Sequence, residues 1–75
     1  AILEHDARTG EYCHLAPGAI VLGNAGVGDQ VLVGSNATIL PAITVGHRVT
    51  IGAGSVVTSD LPDDVRAFGN PARHH

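Results

Sequence analysis

An aliphatic residue returns at every sixth position along most of the chain: Leu3, Leu15, Val21, Val27, Val33, Ile39, Val45, Ile51 and Val57, with Thr9 the one exception. The residue after each reads Glu4, Gly10, Ala16, Leu22, Gly28, Gly34, Leu40, Gly46, Gly52 and Thr58, half of them Gly. Two residues before each stand Ala1, Ala7, Cys13, Ala19, Ala25, Val31, Ala37, Ile43, Val49 and Ser55, all small or aliphatic. A period of six belongs neither to an amphipathic helix nor to an ordinary half-buried strand. It fits a strand of about four residues and a two-residue turn, repeated, with position i and position i−2 both facing inward. Gly after the aliphatic reads as serving a corner where a Cβ would cost energy. Such a unit cannot bury a face alone, so successive units stack into a parallel β-helix.

The period predicts the helix over residues 1–58, with about three coils between residues 3 and 57. Ser59-Asp60-Leu61-Pro62-Asp63-Asp64 breaks it with Pro and charge and reads as a loop. Val65–Gly69 reads as one more strand, closing in Asn70-Pro71-Ala72-Arg73, so 59–73 form a C-terminal loop and strand. His74-His75 read as the start of an affinity tag.

Composition explains what kind of core this is. Hydrophobic residues make up 44% of the 75, but there is one Tyr, one Phe, and no Trp or Met. A narrow interior one aliphatic layer thick accounts for that bias. The single cysteine, Cys13, excludes an internal disulfide and falls on an inward i−2 position, as a small buried hydrophobe would. A net charge of −3 with four cationic residues leaves no basic footprint for nucleic acid. No apolar run reaches the roughly 20 residues of a membrane span, and a cytoplasmic location is expected. The chain also reads as a piece of a longer protein.

Few reactive groups remain once the structural positions are assigned, and they concentrate in residues 4–14. His5 lies at a corner, two residues past Leu3, flanked by Glu4 and Asp6. A histidine there suits general-base chemistry, and a neighbouring carboxylate, Asp6 first and Glu4 second, would fix its tautomer and strengthen it as a base. A solvated polar corner is equally open at this point. His14, one residue before Leu15, projects from a flat side, half a coil away from His5. The two would share a cleft only if a three-fold oligomer set the corner of one prism against the side of its neighbour. His47 falls at another corner, about 10 Å higher by strand spacing, and reads as a surface residue.

Glu4-His5-Asp6-Ala7 with Gly10, then His14-Leu15-Ala16-Pro17-Gly18-Ala19, Gly23-Asn24 and Gly69-Asn70-Pro71-Ala72 together resemble one group of hexapeptide-repeat acetyltransferases. This is the family of sialic acid O-acetyltransferases and nucleotide-aminosugar N-acetyltransferases, and the resemblance covers nearly the whole chain. It implies an all-β, left-handed helix of triangular section, three hexads per coil; the general rule for crossovers would have given the opposite hand. It implies acetyl-CoA as co-substrate, a homotrimer, a sugar or nucleotide-sugar acceptor, and no metal. His5 matches the family's base, and Asp6 the acidic residue that supports it. His14 matches a second histidine near the acetyl group of acetyl-CoA. Ser35 and Ala53 match backbone contacts to the pantetheine arm, and the backbone at Gly23 is the expected donor to the thioester carbonyl. Two departures stand out: Asp6 is one methylene shorter than the Glu of some members, and nothing here corresponds to the N-terminal sugar-nucleotide domain members usually carry.

Three rival readings follow from the same residues. A zinc enzyme like the γ-class carbonic anhydrases needs three converging His, and His5, His14 and His47 sit at unlike heights and positions. An ice-binding helix needs a Thr ladder on one face, whereas Thr38, Thr44 and Thr50 are spaced to fall on three faces. The third is a non-catalytic trimeric core or scaffold.

Overall fold

The computed structural model describes residues 2–74, and of His74 the backbone alone. Ala1 and His75, and with them one inward position and half of the tag reading, lie outside the described residues. Each hexad supplies a two-residue strand, and these assemble into three faces of a prism measuring 29 × 20 × 20 Å. The first face stacks β1 (Ile2–Leu3), β4 (Ile20–Val21), β7 (Thr38–Ile39) and β10 (Val56–Val57), all parallel. The second stacks β2 (Arg8–Thr9), β5 (Gly26–Val27) and β8 (Thr44–Val45). The third stacks β3 (His14–Leu15), β6 (Leu32–Val33), β9 (Thr50–Ile51) and β11 (Arg66–Gly69), with β12 (Ala72–His74) antiparallel at its edge. Partners in register are 18 residues apart, for example Ile2 with Ile20 and Ile20 with Thr38. Backbone bonds run from coil to coil, as from the Ile20 N–H to the Ala37 carbonyl at 2.9 Å. Thr38, Thr44 and Thr50 do lie on three different faces.

The inward frame packs as the period dictates. Val21, Val33, Ile39, Val45, Ile51 and Val57 are buried, beside the i−2 residues Ala19, Ala25, Val31, Ala37 and Val49. In the first coil the outward Ile2 and the inward Leu3 are both exposed, and Cys13 is half-buried. The Cys13 thiol still donates to the Gly28 carbonyl at 3.0 Å.

Two features differ from the sequence reading. The helix does not end at residue 58. Leu61 bridges to Val45 and is buried, Val65 packs against the core, and Arg66 and Ala67 pair with Thr50 and Ile51. These offsets are 16 residues, not 18, so the chain completes a fourth coil whose first corner is shortened by two residues. The strand expected over 65–69 is β11, from Arg66 on, and the Pro-containing segment is a trimmed corner. The Asn70–Pro71 bond is cis, and Ser55, buried at an i−2 position, accepts a hydrogen bond from the Gly69 N–H at 3.0 Å that ties this end down.

The glycines also act by another route. Left-handed φ falls not on the residue after the aliphatic but on the second corner residue: Asp6, Tyr12, Asn24, Gln30, Asn36, Ala42, Arg48 and Asp64 have φ of 56–63°. Each costs on the order of 1 kcal/mol, offset in part, from Asn24 onward, by a bond to the preceding coil, such as Asn24 N–H to the His5 carbonyl at 3.1 Å. The glycine after the aliphatic is needed for close stacking: a Cβ on Gly34 would stand 2.5 Å from the Ala53 nitrogen.

Candidate active site

The three corners share this backbone and differ in side chains. The first corner, between the first and second faces, stacks His5-Asp6, Gly23-Asn24 and Pro41-Ala42. The second stacks Glu11-Tyr12, Asp29-Gln30, His47-Arg48 and Asp63-Asp64. The third stacks Pro17-Gly18, Ser35-Asn36 and Ala53-Gly54.

At the first corner His5 Nε2 stands 2.9 Å from Asp6 Oδ2, with the His5 side chain 92% exposed. An exposed pair of this kind adds little stability. It orients the imidazole and leaves Nδ1 facing solvent. Asp6 reaches the ring despite being one methylene shorter than Glu, because its left-handed backbone (φ 59°) turns it back over the corner. Gly23 sits one coil above, and its carbonyl accepts from the Ala42 N–H at 3.0 Å. The amide of Gly23 has no acceptor among the described residues. A shallow concavity of about 460 Å³ adjoins this corner on the second face, lined by Asp6, Arg8, Asn24, Ala25, Gly26 and Thr44.

The other expected residues lie elsewhere on the prism. His14 is exposed on the third face, which is opposite the first corner, so one chain does not bring it to His5. Ser35 and Ala53 stack at the third corner, where the Gly54 N–H donates to the Ser35 carbonyl at 2.8 Å. Their own amides have no acceptor among the described residues. The two residues lie one coil apart, as donors to an extended ligand along that edge would.

The second corner carries a feature that spacing did not reveal. Asp29 Oδ1 accepts from the Glu11 N–H (2.9 Å), His47 Nδ1 from the Asp29 N–H (2.8 Å), and Asp63 Oδ1 from the His47 N–H (2.7 Å). Each corner side chain thus caps the amide one coil below. His47 is a surface residue, as read, and its Nδ1 is committed as an acceptor in this ladder. The signal in the sequence is an acceptor two residues past Val27, Val45 and Leu61, and it is masked by the Pro and charge around Leu61, which read as a loop. Outside the ladder, Arg48 makes a two-pronged pair with Asp64, at 2.6 and 3.0 Å. The hydrogen bond from Arg48 holds the Asp64 carboxyl below its ordinary range, and the same bond raises the Arg48 guanidinium. No group of three or more His, Cys, Asp or Glu converges among the described residues, and no described helix is long and apolar enough to cross a membrane.

This fold and these corners can be set beside known proteins. Residues 24–59 match the family model described as bacterial transferase hexapeptide (six repeats). PerB from Caulobacter crescentus, solved with CoA and GDP-perosamine, superposes with a TM-score of 0.93 at 42% identity over 95% of this chain and 34% of that one. The acetyltransferase domain of PglB from Neisseria gonorrhoeae, solved with acetyl coenzyme A, gives 0.92 at 38% identity over 95% and 35%. The galactoside O-acetyltransferase of Escherichia coli is 47% identical over 47 residues, 63% of this chain and 23% of that protein. Residues 24–59 thus carry the repeats of the hexapeptide transferases, and the prism is the left-handed parallel β-helix that such repeats indicate. The chain spans about a quarter to a third of the length of these relatives.

Proposed function

We propose that this chain is the catalytic helix of an acetyl-CoA-dependent acetyltransferase acting on an amine or hydroxyl of a sugar, free or nucleotide-activated. The observation that carries this reading is the first corner, where an oriented, solvent-facing imidazole lies one coil below an uncommitted backbone amide. The relatives solved with CoA, acetyl-CoA and a nucleotide sugar support the choice of substrates. In the proposed reaction His5 Nδ1 takes the proton from the acceptor N–H or O–H as the heteroatom attacks the acetyl carbonyl. Asp6, on Nε2, stabilises the imidazolium that forms. The Gly23 amide donates to the tetrahedral oxyanion. The C–S bond then breaks, and the departing CoA sulfur recovers the proton from His5. Transfer is direct, with no acyl-enzyme; an acetyl group trapped on Cys13 would overturn that.

The pantetheine arm is assigned to the third corner, through the amides of Ser35 and Ala53. His14, on the face opposite His5, enters a site only from a second copy, so the working unit is proposed to be a homotrimer in the cytoplasm, where acetyl-CoA is available. The test is His5→Ala in the full-length protein. Turnover should fall by about 10²- to 10⁴-fold while acetyl-CoA binding by calorimetry is retained. A variant that keeps most of its turnover removes His5 as the base. Failure of the unaltered protein to bind acetyl-CoA would favour the non-catalytic scaffold.

A further inference from the structure

We propose that the notch beside the first corner is an acceptor subsite for an anionic oxygen group, a phosphate or a carboxylate, held by Arg8. The inference rests on the acetyltransferase reading above and adds the charge of its acceptor. Outward positions on the second face are Arg8, Gly26 and Thr44 on successive coils, aligned by the register of β2, β5 and β8. Gly26 interrupts this row: nothing lies within 4 Å of where its Cβ would be. The gap it leaves forms the floor of the 460 Å³ concavity, with Arg8 on one side and the Thr44 side chain on the other. Asn24 and Asp6 form the wall shared with the first corner.

The charges select the ligand. Arg48 is committed to Asp64, whereas Arg8 makes no ion pair among the described residues. A guanidinium presents a planar fork of donors that matches phosphate and carboxylate oxygens two at a time. Asp6, the acidic residue in the wall, is turned to His5 at 2.9 Å, which reduces its repulsion of an incoming anion. Position also fits. Arg8 is three residues from His5, so their Cα atoms are at most about 11 Å apart. A sugar bridging that span would hold its nucleophile at the imidazole and its acidic substituent at Arg8. The two sources of such a group are the diphosphate of a nucleotide sugar and the carboxylate of a sialic acid.

The experiment compares three acceptors on the full-length protein: a nucleoside-diphosphate aminosugar, free sialic acid, and the uncharged methyl glycoside of an aminosugar. In Arg8→Gln the KM for the anionic acceptor should rise about ten- to a hundredfold, as for loss of a charged hydrogen bond. The kcat, the KM for acetyl-CoA and the KM for the uncharged glycoside should hold within about twofold. Arg8→Lys should recover part of the loss, and Gly26→Val, which fills the notch while keeping the Arg8 charge, should reproduce it. Whichever anionic acceptor shows the shift identifies the source. An equal change with the uncharged glycoside, no change with either anion, or a shift confined to acetyl-CoA overturns the subsite. If the unaltered protein acetylates none of the three, the acetyltransferase reading itself fails. The subsite is then judged by calorimetry with inorganic diphosphate and with sialic acid: binding lost in Arg8→Gln upholds it, and no binding to the unaltered protein ends it.

Discussion

The second corner and the other two begin their turns with the same backbone amide and dispose of it differently. At the second corner the amides of Glu11, Asp29 and His47 are each capped by a side chain from the next coil. At the first and third corners Gly23, Ser35 and Ala53 keep theirs unpaired among the described residues, and the remaining turns begin with Pro17 and Pro41 or with His5. A capped edge contributes to stability and has those amides occupied; an uncapped edge exposes unpaired donors at the spacing of the coils. One prism thus divides its edges between holding itself together and, in the proposed reading, offering donors to a thioester.

Proline substitution deletes single amides without deleting the corner. Pro41 occupies the slot of Gly23 one coil on, after a Leu in both cases, so the backbone there accepts proline. Gly23→Pro should lower kcat by about 10²- to 10³-fold, the loss seen when one oxyanion donor is removed. Gly23→Ala, whose Cβ would stand 3.3 Å from the His5 carbonyl oxygen but whose N–H remains, should retain most activity. Equal losses in the two variants would mean that space, not the amide, matters.

Ala53→Pro applies the same logic at the third corner, where Pro17 supplies the precedent two coils below. Acetyl-CoA should bind about tenfold more weakly, for one hydrogen bond lost, and the melting temperature should hold or rise slightly as the unfolded chain stiffens. Unchanged affinity would move the pantetheine arm to another edge.

At the capped edge the expectation reverses. Asp29→Ala leaves the Glu11 amide to solvent and should destabilise the fold by about 1 kcal/mol in denaturant melts, with no effect on the KM for acetyl-CoA. A rise in that KM would show that the second corner also takes part in binding.

The smallest effect concerns Arg48 and Asp64. The folded Asp64 carboxyl titrates below its ordinary value, so its pair contributes stability that is fully present above about pH 4 and is lost as pH falls through the depressed value. Wild type should lose a little more stability than Asp64→Asn on acidification below pH 4, and the difference should shrink in high salt, since the pair is exposed. A difference that persists above neutrality would mean that Asp64 acts through packing instead.

The second corner also illustrates what remained hidden in the residues. Asp29, His47 and Asp63 occupy one slot of the hexad, but their partners are 16 or 18 residues away, and Asp63 enters that slot only because the fourth coil drops two residues at its first corner. A strict count of six reads that deletion as the end of the helix. The continuing frame was nonetheless visible in Leu61 and Ala67, six apart with Val65 between them. At the first corner the presence of His5 and Asp6 was plain, and their flanking positions led to the pairing. Which nitrogen faces the carboxylate, and the notch left by Gly26 beside Arg8, required the coils to be stacked.

The period, the inward column of aliphatics, the division of Thr38, Thr44 and Thr50 among three faces, and the separation of His5 from His14 are legible in the residues alone. All of these follow from local backbone geometry and the burial of apolar side chains, which the hexad encodes residue by residue. Which turn amides are capped, that the helix runs on through Leu61 to a fourth coil, and that Arg8 makes no ion pair among the described residues beside the step at Gly26 emerge only once the coils stack. Those depend on contacts between coils, where a hydrogen bond of 2.7–2.9 Å forms or fails according to side chains that no local pattern relates to one another.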